Sequence, residues 1–321
     1  MSAYRALAPA KVNLGLFLGP IREADGRHEL VSVMQSISLA DELTLQPADA
    51  GAAGDEVLCP GVPGPTSENL AARALASFRA HTGWDAPPQQ LQIVKRIPVA
   101  GGLGGGSADA AAALRLVARA SALGDRGLLW ELAELLGADV SAQVEPGRWL
   151  AAGAGERLLE LPPPAKSLGL LVLPLAVELS TEKVYAEADR LGLGRETGEL
   201  SELTVALQHA LAQEEPLPAD ARLLTNDLEQ AAVSLCPAIA GALGEAREAG
   251  AASAIVSGSG PTVVGLFPGG ISTVDGLDHA RSAAARLAAR EPAPVAARPV
   301  GSAFARVVRH NPAQTAKRRG M

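Results

Sequence analysis

Aromatic side chains are scarce in this chain: four Phe, two Tyr and three Trp make up 3% of 321 residues. Hydrophobic residues nevertheless reach 48%, so any core is aliphatic and each aromatic outside a core pattern stands out. Cysteine is scarcer still. Cys59 and Cys236 lie far apart, with no CxxC or Cys/His spacing, which excludes a zinc ribbon and a disulfide framework and suits reduced thiols. There is no surplus of positive charge. The net charge of -7 argues against a nucleic-acid or anionic-membrane surface. No long hydrophobic run occurs either: the longest, 168–177, is broken by Gly169 and Pro174 and is too short to span a bilayer. Lys11 and Asn13 stand where a secretion signal needs an apolar core, so the composition reads as a soluble cytoplasmic protein. The length exceeds what one core usually serves, and two domains are expected.

Glycine is abundant at one place. Pro98, Val99, Ala100, Gly101, Gly102, Leu103, Gly104, Gly105, Gly106, Ser107 and Ala108 follow one another, with five glycines within six residues. Upstream, Leu91, Ile93 and Ile97 alternate as in a strand; downstream, an Ala-rich run opening at Ser107 has strong helix propensity. Strand, glycine loop and helix start form a donor-rich concavity suited to phosphate. No Lys-Ser/Thr follows the glycines, so this is not a Walker A loop, and Ser107 stands where a dinucleotide fingerprint needs Gly or Ala. Taken alone, such a cluster also fits a hinge or a tight turn.

The rest of the chain is a mixture of strands and helices. Val12, Leu14, Leu16 and Leu18 alternate on a half-buried strand, with Lys11 and Asn13 on its other face. Asp25-Gly26 signals a turn, followed by a strand through 39 and another near 43–45. Ser67 is placed to cap a helix to about residue 80, and Asp125 one that Gly137 ends. Asp139 follows at once, facing the negative end of that helix; it needs a new helical turn to cap or a cation partner. Residues 149–155 and 157–161 read as edge strands, Pro162–Pro164 as the domain boundary, and 168–173 as a strand. A helix follows Ser180-Thr181, and residues 192–220 suit a variable helix and loop. Asn226 caps the next helix, 237–248 another, and 254–267 forms a hairpin around a second glycine turn, Gly258-Ser259-Gly260-Pro261. Residues 277–290 suit a helix, 295–300 a last strand, and 306–321 a basic, disordered tail.

Three of these stretches resemble the motifs of the GHMP small-molecule kinases, in the same order: P-A-K-V-N-L, the 98–108 loop running into S-A-D-A-A-A-A-L, and S-G-S-G-P-T. The resemblance implies an α+β fold of two domains, 1–163 and 164–305, with the active-site cleft between them. It implies ATP on the 98–108 loop, Mg²⁺ carried with it and within reach of Ser107, and Asp139 as base with Lys11 beside it. Asn13 would bind the substrate. A-D-G-R-H-E-L, V-M-Q-S-I-S-L-A-D-E-L, S-T-E-K-V-Y, L-G-A-D-V and N-D-L-E are similar to the branch that phosphorylates a hydroxyl of a cytidine diphosphate-linked methylerythritol. His28 then meets the cytosine edge and Tyr185 stacks on the ring. The chain has Arg27 where that branch has Tyr or Phe, and a guanidinium plane also stacks on a base. A small alcohol of the homoserine or mevalonate type, or a catalytically silent nucleotide-binding member, are the alternatives. The joint presence of Lys11, Asp139 and Ser107 speaks against silence. The expected assembly is a monomer or weak homodimer.

Overall fold

The computed structural model describes residues 2–310, apart from 63, 165, 213–216, 219 and 270–274. Its frame is a long antiparallel hairpin, β1 (Ala3–Ile21) with β2 (His28–Pro47). The chain continues through β3 (Glu56–Leu58), α1 (Leu70–Thr82), β4 (Gln89–Val94), α2 (Gly105–Ser121), α3 (Arg126–Leu136) and α4 (Ala138–Val144). Strands β5 (Arg148–Gly153) and β6 (Arg157–Leu161) complete this half. β2 is long enough to pair with β4 through 42–47 and with β5 through 30–35. With β11 (Val308–His310) the resulting seven-stranded sheet runs β11-β1-β2-β4-β3, with β5 and β6 branching from β2.

After Pro162–Pro164 the chain enters a second sheet. It is built from β7 (Leu168–Leu173), β8 (Ser253–Val256), β9 (Val263–Pro268) and β10 (Val295–Ala297), ordered β10-β7-β9-β8. Between these strands lie α5 (Thr181–Leu191), α6 (Thr197–Leu211), α7 (Glu229–Leu235), α8 (Ala238–Glu248) and α9 (Gly276–Arg286). Both faces of this sheet are buried. Leu171, Leu173, Val256 and Val263 pack with α5, α7 and α8, while Leu170, Val172, Val264 and Ile255 join the core of the first sheet. Strand β7 therefore reads as an unbroken apolar run, as a strand buried on two faces must.

β1 departs from a half-buried strand, since every residue from Ala8 to Leu18 is buried. Its outer edge is closed by four separate segments: β11 (Val308–His310), the Leu103 carbonyl, residues 225–227 and Arg195. Residues 306–310 are thus no tail; they bring β11 onto β1, and 311–321 lie outside the described residues. Two irregularities in the β1–β2 register, at Pro9/Lys11 and Asn13/Gly15, bracket Lys11 and Asn13. Pro9 has no amide to give the ladder, which favours such a break.

Two helix starts in the first half also differ from expectation. Residues 66–68 form a single 3₁₀ turn, and α1 is capped by Asn69, whose side chain accepts from Ala71 N. α2 starts at Gly105, two residues before Ser107. Its alanines are explained by space as much as propensity: Ala110–Ala113 are fully buried, wedged between the first sheet and α1 and α4.

Candidate active site

A cavity of about 650 Å³ opens between the two sheets, lined by the 98–107 loop, Lys11, Asn13, Asp139, Tyr185 and the Gly258 turn among others. Lys11 lies on the floor. It is 8% exposed, and its Nζ donates to Asn13 Oδ1 at 2.9 Å. Asn13 Nδ2 donates to Ser32 Oγ at 2.7 Å, which donates to the Gly15 carbonyl at 2.8 Å. This relay fixes the amide with its oxygen toward the ammonium.

The glycine loop wraps over Lys11. Ile97 and Leu103 are buried anchors, and the Leu103 carbonyl accepts from Lys11 N at 2.9 Å. Gly104 caps α2 in the left-handed region at φ 66°. A Cβ there would stand 2.9 Å from Lys11 Cγ, so glycine lets the lysine stem pass beneath the loop. No side chain caps α2, and helix geometry leaves the amides of Gly105, Gly106 and Ser107 without partners inside the helix.

Asp139 has the cation partner its position calls for, and it lies in a new helix without capping it. α3 ends at Gly137, which is also the N-cap of α4, so Asp139 sits in the first turn of a new helix, near its positive end. Its Oδ2 is 3.4 Å from Lys11 Nζ, and its side chain is 44% exposed toward the cavity. Asp139 itself is not the cap.

The second glycine turn closes onto the first. Ser257 Oγ donates to the Gly102 carbonyl at 3.0 Å. A Cβ on Gly102, at φ 73°, would fall 2.3 Å from the Ser257 carbonyl oxygen. Asn226, expected as the cap of α7, lies two residues before that helix's N-cap, Leu228, whose N–H donates to its Oδ1 at 3.0 Å; its Nδ2 pins this turn, donating to the carbonyls of Val256 and Gly258 at 2.8 and 2.7 Å. Thr181 and Ser259 join hydroxyls at 3.0 Å on the cavity wall. Sequence reasoning missed that pair, since nothing local links residues 78 apart.

At the far end, Arg27 and Tyr185 line the cavity, and Arg27 Nη2 donates to the Ala154 carbonyl at 2.7 Å. Burial pushes the Tyr185 phenol up to about 12, with the Asp139 charge adding to the rise. The His28 ring faces inward instead. Its Nδ1 is 2.8 Å from the Gly19 carbonyl and its Nε2 3.1 Å from Asp189 Oδ1, with its ring centroid 5.5 Å from that of Tyr185.

Beyond the glycine loop the wall is formed by Cys59, Val62, Asn69 and Lys95. Lys95 is held by Asp41 and, at 2.7 Å, by Asp109. Burial, reinforced by the neighbouring Asp41 carboxylate, pushes Asp109 up to about 7 despite Lys95. This cluster also escaped sequence reading, because its members come from β2, the residue that follows β4, and α2.

Two family models match the chain: the GHMP kinases N terminal domain over 69–147 and the GHMP kinases C terminal over 207–293. The homoserine kinase of Cytophaga hutchinsonii shares the fold, with a TM-score of 0.66 at 17% identity over 96% of this chain and 98% of that one. Class and architecture are therefore those of the GHMP kinases. Among the curated relatives, a 4-diphosphocytidyl-2-C-methyl-D-erythritol kinase of Thermobifida fusca (strain YX) is 41% identical over 88% of this chain and 90% of its own. The enzyme of that name from Streptomyces coelicolor (strain ATCC BAA-471 / A3(2) / M145) is 43% identical over 80% and 85%. A crystal structure of 4-(cytidine 5'-diphospho)-2C-methyl-D-erythritol kinase superposes with a TM-score of 0.71 at 34% identity, over 92% of this chain and 99% of that one. The chain belongs to the 4-diphosphocytidyl-2-C-methyl-D-erythritol kinase family.

Proposed function

We propose that this chain transfers the γ-phosphoryl group of ATP to the 2-hydroxyl of 4-diphosphocytidyl-2-C-methyl-D-erythritol, a step toward isoprenoid precursors. One observation carries the chemistry: the Lys11–Asp139 pair stands in one cavity with the first amides of α2, which have no partners within that helix. An exposed carboxylate, a cation and a phosphate cradle are the parts that phosphoryl transfer needs. The relatives' activity supplies the acceptor.

The 98–108 loop takes the triphosphate on its amides. Asp139 accepts the hydroxyl proton, the freed oxygen bonds to the γ-phosphorus, and the bond from that phosphorus to the β-phosphate oxygen breaks, releasing ADP. Lys11 offsets charge on the transferring group, and Asn13 binds the acceptor near its hydroxyl. Arg27 and Tyr185 supply flat surfaces for the cytosine, with His28 beside Tyr185. The wall around Cys59, Val62, Asn69 and Lys95 leaves space past the loop for the adenosine.

Among the described residues there is no group of three or more His, Cys, Asp or Glu suited to a metal ion. Ser107 and Asp139 offer one hydroxyl and one carboxylate in the same cavity, a donor set that fits Mg²⁺ bound chiefly by phosphate and water. Mg²⁺ there would neutralise charge on the phosphates. We read residues 1–163 and 164–305 as the two domains, and the protein as a cytoplasmic monomer or weak homodimer without nucleic-acid partners. Its acidity and two free thiols support this. Among the described residues no helix is long and apolar enough to cross a membrane.

The test is ATP consumption with Mg²⁺ and 4-diphosphocytidyl-methylerythritol, homoserine, mevalonate or no acceptor. Turnover with the cytidyl compound alone is expected. Turnover with another alcohol would discard the cytosine reading, and silence throughout with ATP bound would discard catalysis.

A further inference from the structure

Three elements carry the reacting end of the cleft: β1 brings Lys11, the start of α2 the phosphate loop, and α4 Asp139. One side chain, unused in the reaction above, touches all three. Arg115, in the middle of α2, donates through Nη1 to the main-chain carbonyls of Gln143 at 2.5 Å and Val144 at 3.2 Å, the last two residues of α4. Through Nη2 it donates to the Leu7 carbonyl of β1 at 3.1 Å. Gln143 is tied in turn: its Nε2 donates to the Pro9 carbonyl at 3.1 Å, and its Oε1 accepts from Ser36 Oγ at 3.3 Å.

We propose that Arg115 is a positioning residue for phosphoryl transfer: by clamping the end of α4 to β1 and α2, it sets the approach of Asp139 to Lys11 and the phosphate loop. This rests on the role given to Asp139 above.

The last carbonyls of a helix have no donors within it, and they form its negative end. A planar guanidinium meets adjacent carbonyls and a third acceptor at once; an ammonium on a flexible stem does not fix the same geometry. Burial pushes the Arg115 pKa down to about 10, which still leaves it charged at neutral pH. The lever is short. Asp139 is five residues from Val144, roughly 7.5 Å along the axis. A tilt of about 8° around the clamped end would move Asp139 by about 1 Å, and such a displacement costs up to about 10²-fold in rate. If Arg115 only held the core together, its loss would lower stability and leave turnover of the folded protein alone.

The experiment places Arg115→Met and Arg115→Lys in the wild-type and the Asp139→Asn backgrounds. Steady-state and single-turnover transfer are measured where circular dichroism shows the native fold. Arg115→Met is expected to lower kcat by about 10–100-fold while both KM values stay within about threefold. Arg115→Lys should recover part of this, remaining about 3–10-fold below wild type, and it carries the test if Arg115→Met does not fold. In the Asp139→Asn background the Met change should cost at most about twofold more, because the group it positions is gone. An unchanged kcat, or an equal loss in both backgrounds, would overturn the inference. If Asp139→Asn itself leaves kcat unchanged, the role of Asp139 fails and this inference with it. If Asp139→Asn is slow and the Arg115 variants are not, only this inference fails.

Discussion

At the end of the cleft that we assign to phosphate, the cavity is lined by the glycine loop with the first amides of α2 and by the Lys11–Asp139 pair. At the opposite end it is lined by a guanidinium and a phenol, from a hairpin tip and a helix. The phosphate end is held by bonds between its loops: the Leu103 carbonyl accepts from Lys11 N, the Gly102 carbonyl accepts from Ser257 Oγ, and the Asn226 amide grips the turn above. The base end is held by side chains: Arg27 on the Ala154 carbonyl, and His28 between Gly19 and Asp189. We place the chemistry on loops tied to one another across the cleft, and recognition on single side chains.

If that division holds, damage at each end should register in a different kinetic constant. Lys11→Met is expected to lower kcat by about 10²–10³-fold, with the KM for the cytidyl substrate nearly unchanged. Steady-state kinetics in both substrates checks this, and a pure KM effect would merge the two ends. Gly102→Ala probes the backbone itself. The added Cβ meets two main-chain oxygens, at 2.3 and 2.8 Å, and the residue sits at positive φ. A loss of about 1–3 kcal/mol in urea unfolding is expected, with weaker ATP binding. The control is Gly106→Ala, where the nearest atom is a Leu70 methyl at 3.8 Å and little should change. Equal effects at the two glycines would contradict the close approach.

At the base end, Tyr185→Ala should raise the KM for the cytidyl substrate about tenfold through lost stacking, leaving the KM for ATP alone. Equal weakening of both would make Tyr185 a structural residue. The smallest effect concerns Asp109, faced by Lys95 and Asp41. Its pKa of about 7 in the fold exceeds the value of about 4 expected for an unfolded chain. The folded state therefore holds this proton longer, and the stability it contributes is full below about pH 4 and lost as pH rises through about 7. Melting temperatures from pH 5 to 8 should shift in favour of Asp109→Asn relative to wild type; a pH-independent difference would contradict the burial effect.

What was legible in the sequence follows the same division. The strand, glycine loop and helix are consecutive, and Lys11 and Asn13 are two residues apart on one strand, so local rules suffice. Asp139 was legible as an anomaly, a carboxylate just past a helix end, and the structure answers it with α4 and Lys11. The start of α2 at Gly105 was not, because glycine reads as loop even where a first helical turn tolerates it. Asn69 displaces Ser67 as cap because a 3₁₀ turn intervenes. The partners of His28, the Lys95 cluster and β11 on β1 join distant segments of the chain, and no local pattern encodes them.

The most direct measurement is single-turnover transfer from ATP to 4-diphosphocytidyl-methylerythritol by wild type and by Asp139→Asn, with ATP affinity measured alongside. The account predicts product phosphorylated at the 2-hydroxyl by wild type, and a rate lower by about 10²–10⁴-fold in the variant at nearly unchanged ATP affinity. Equal rates in the two proteins would contradict it, leaving Asp139 as no more than a first-turn residue of α4.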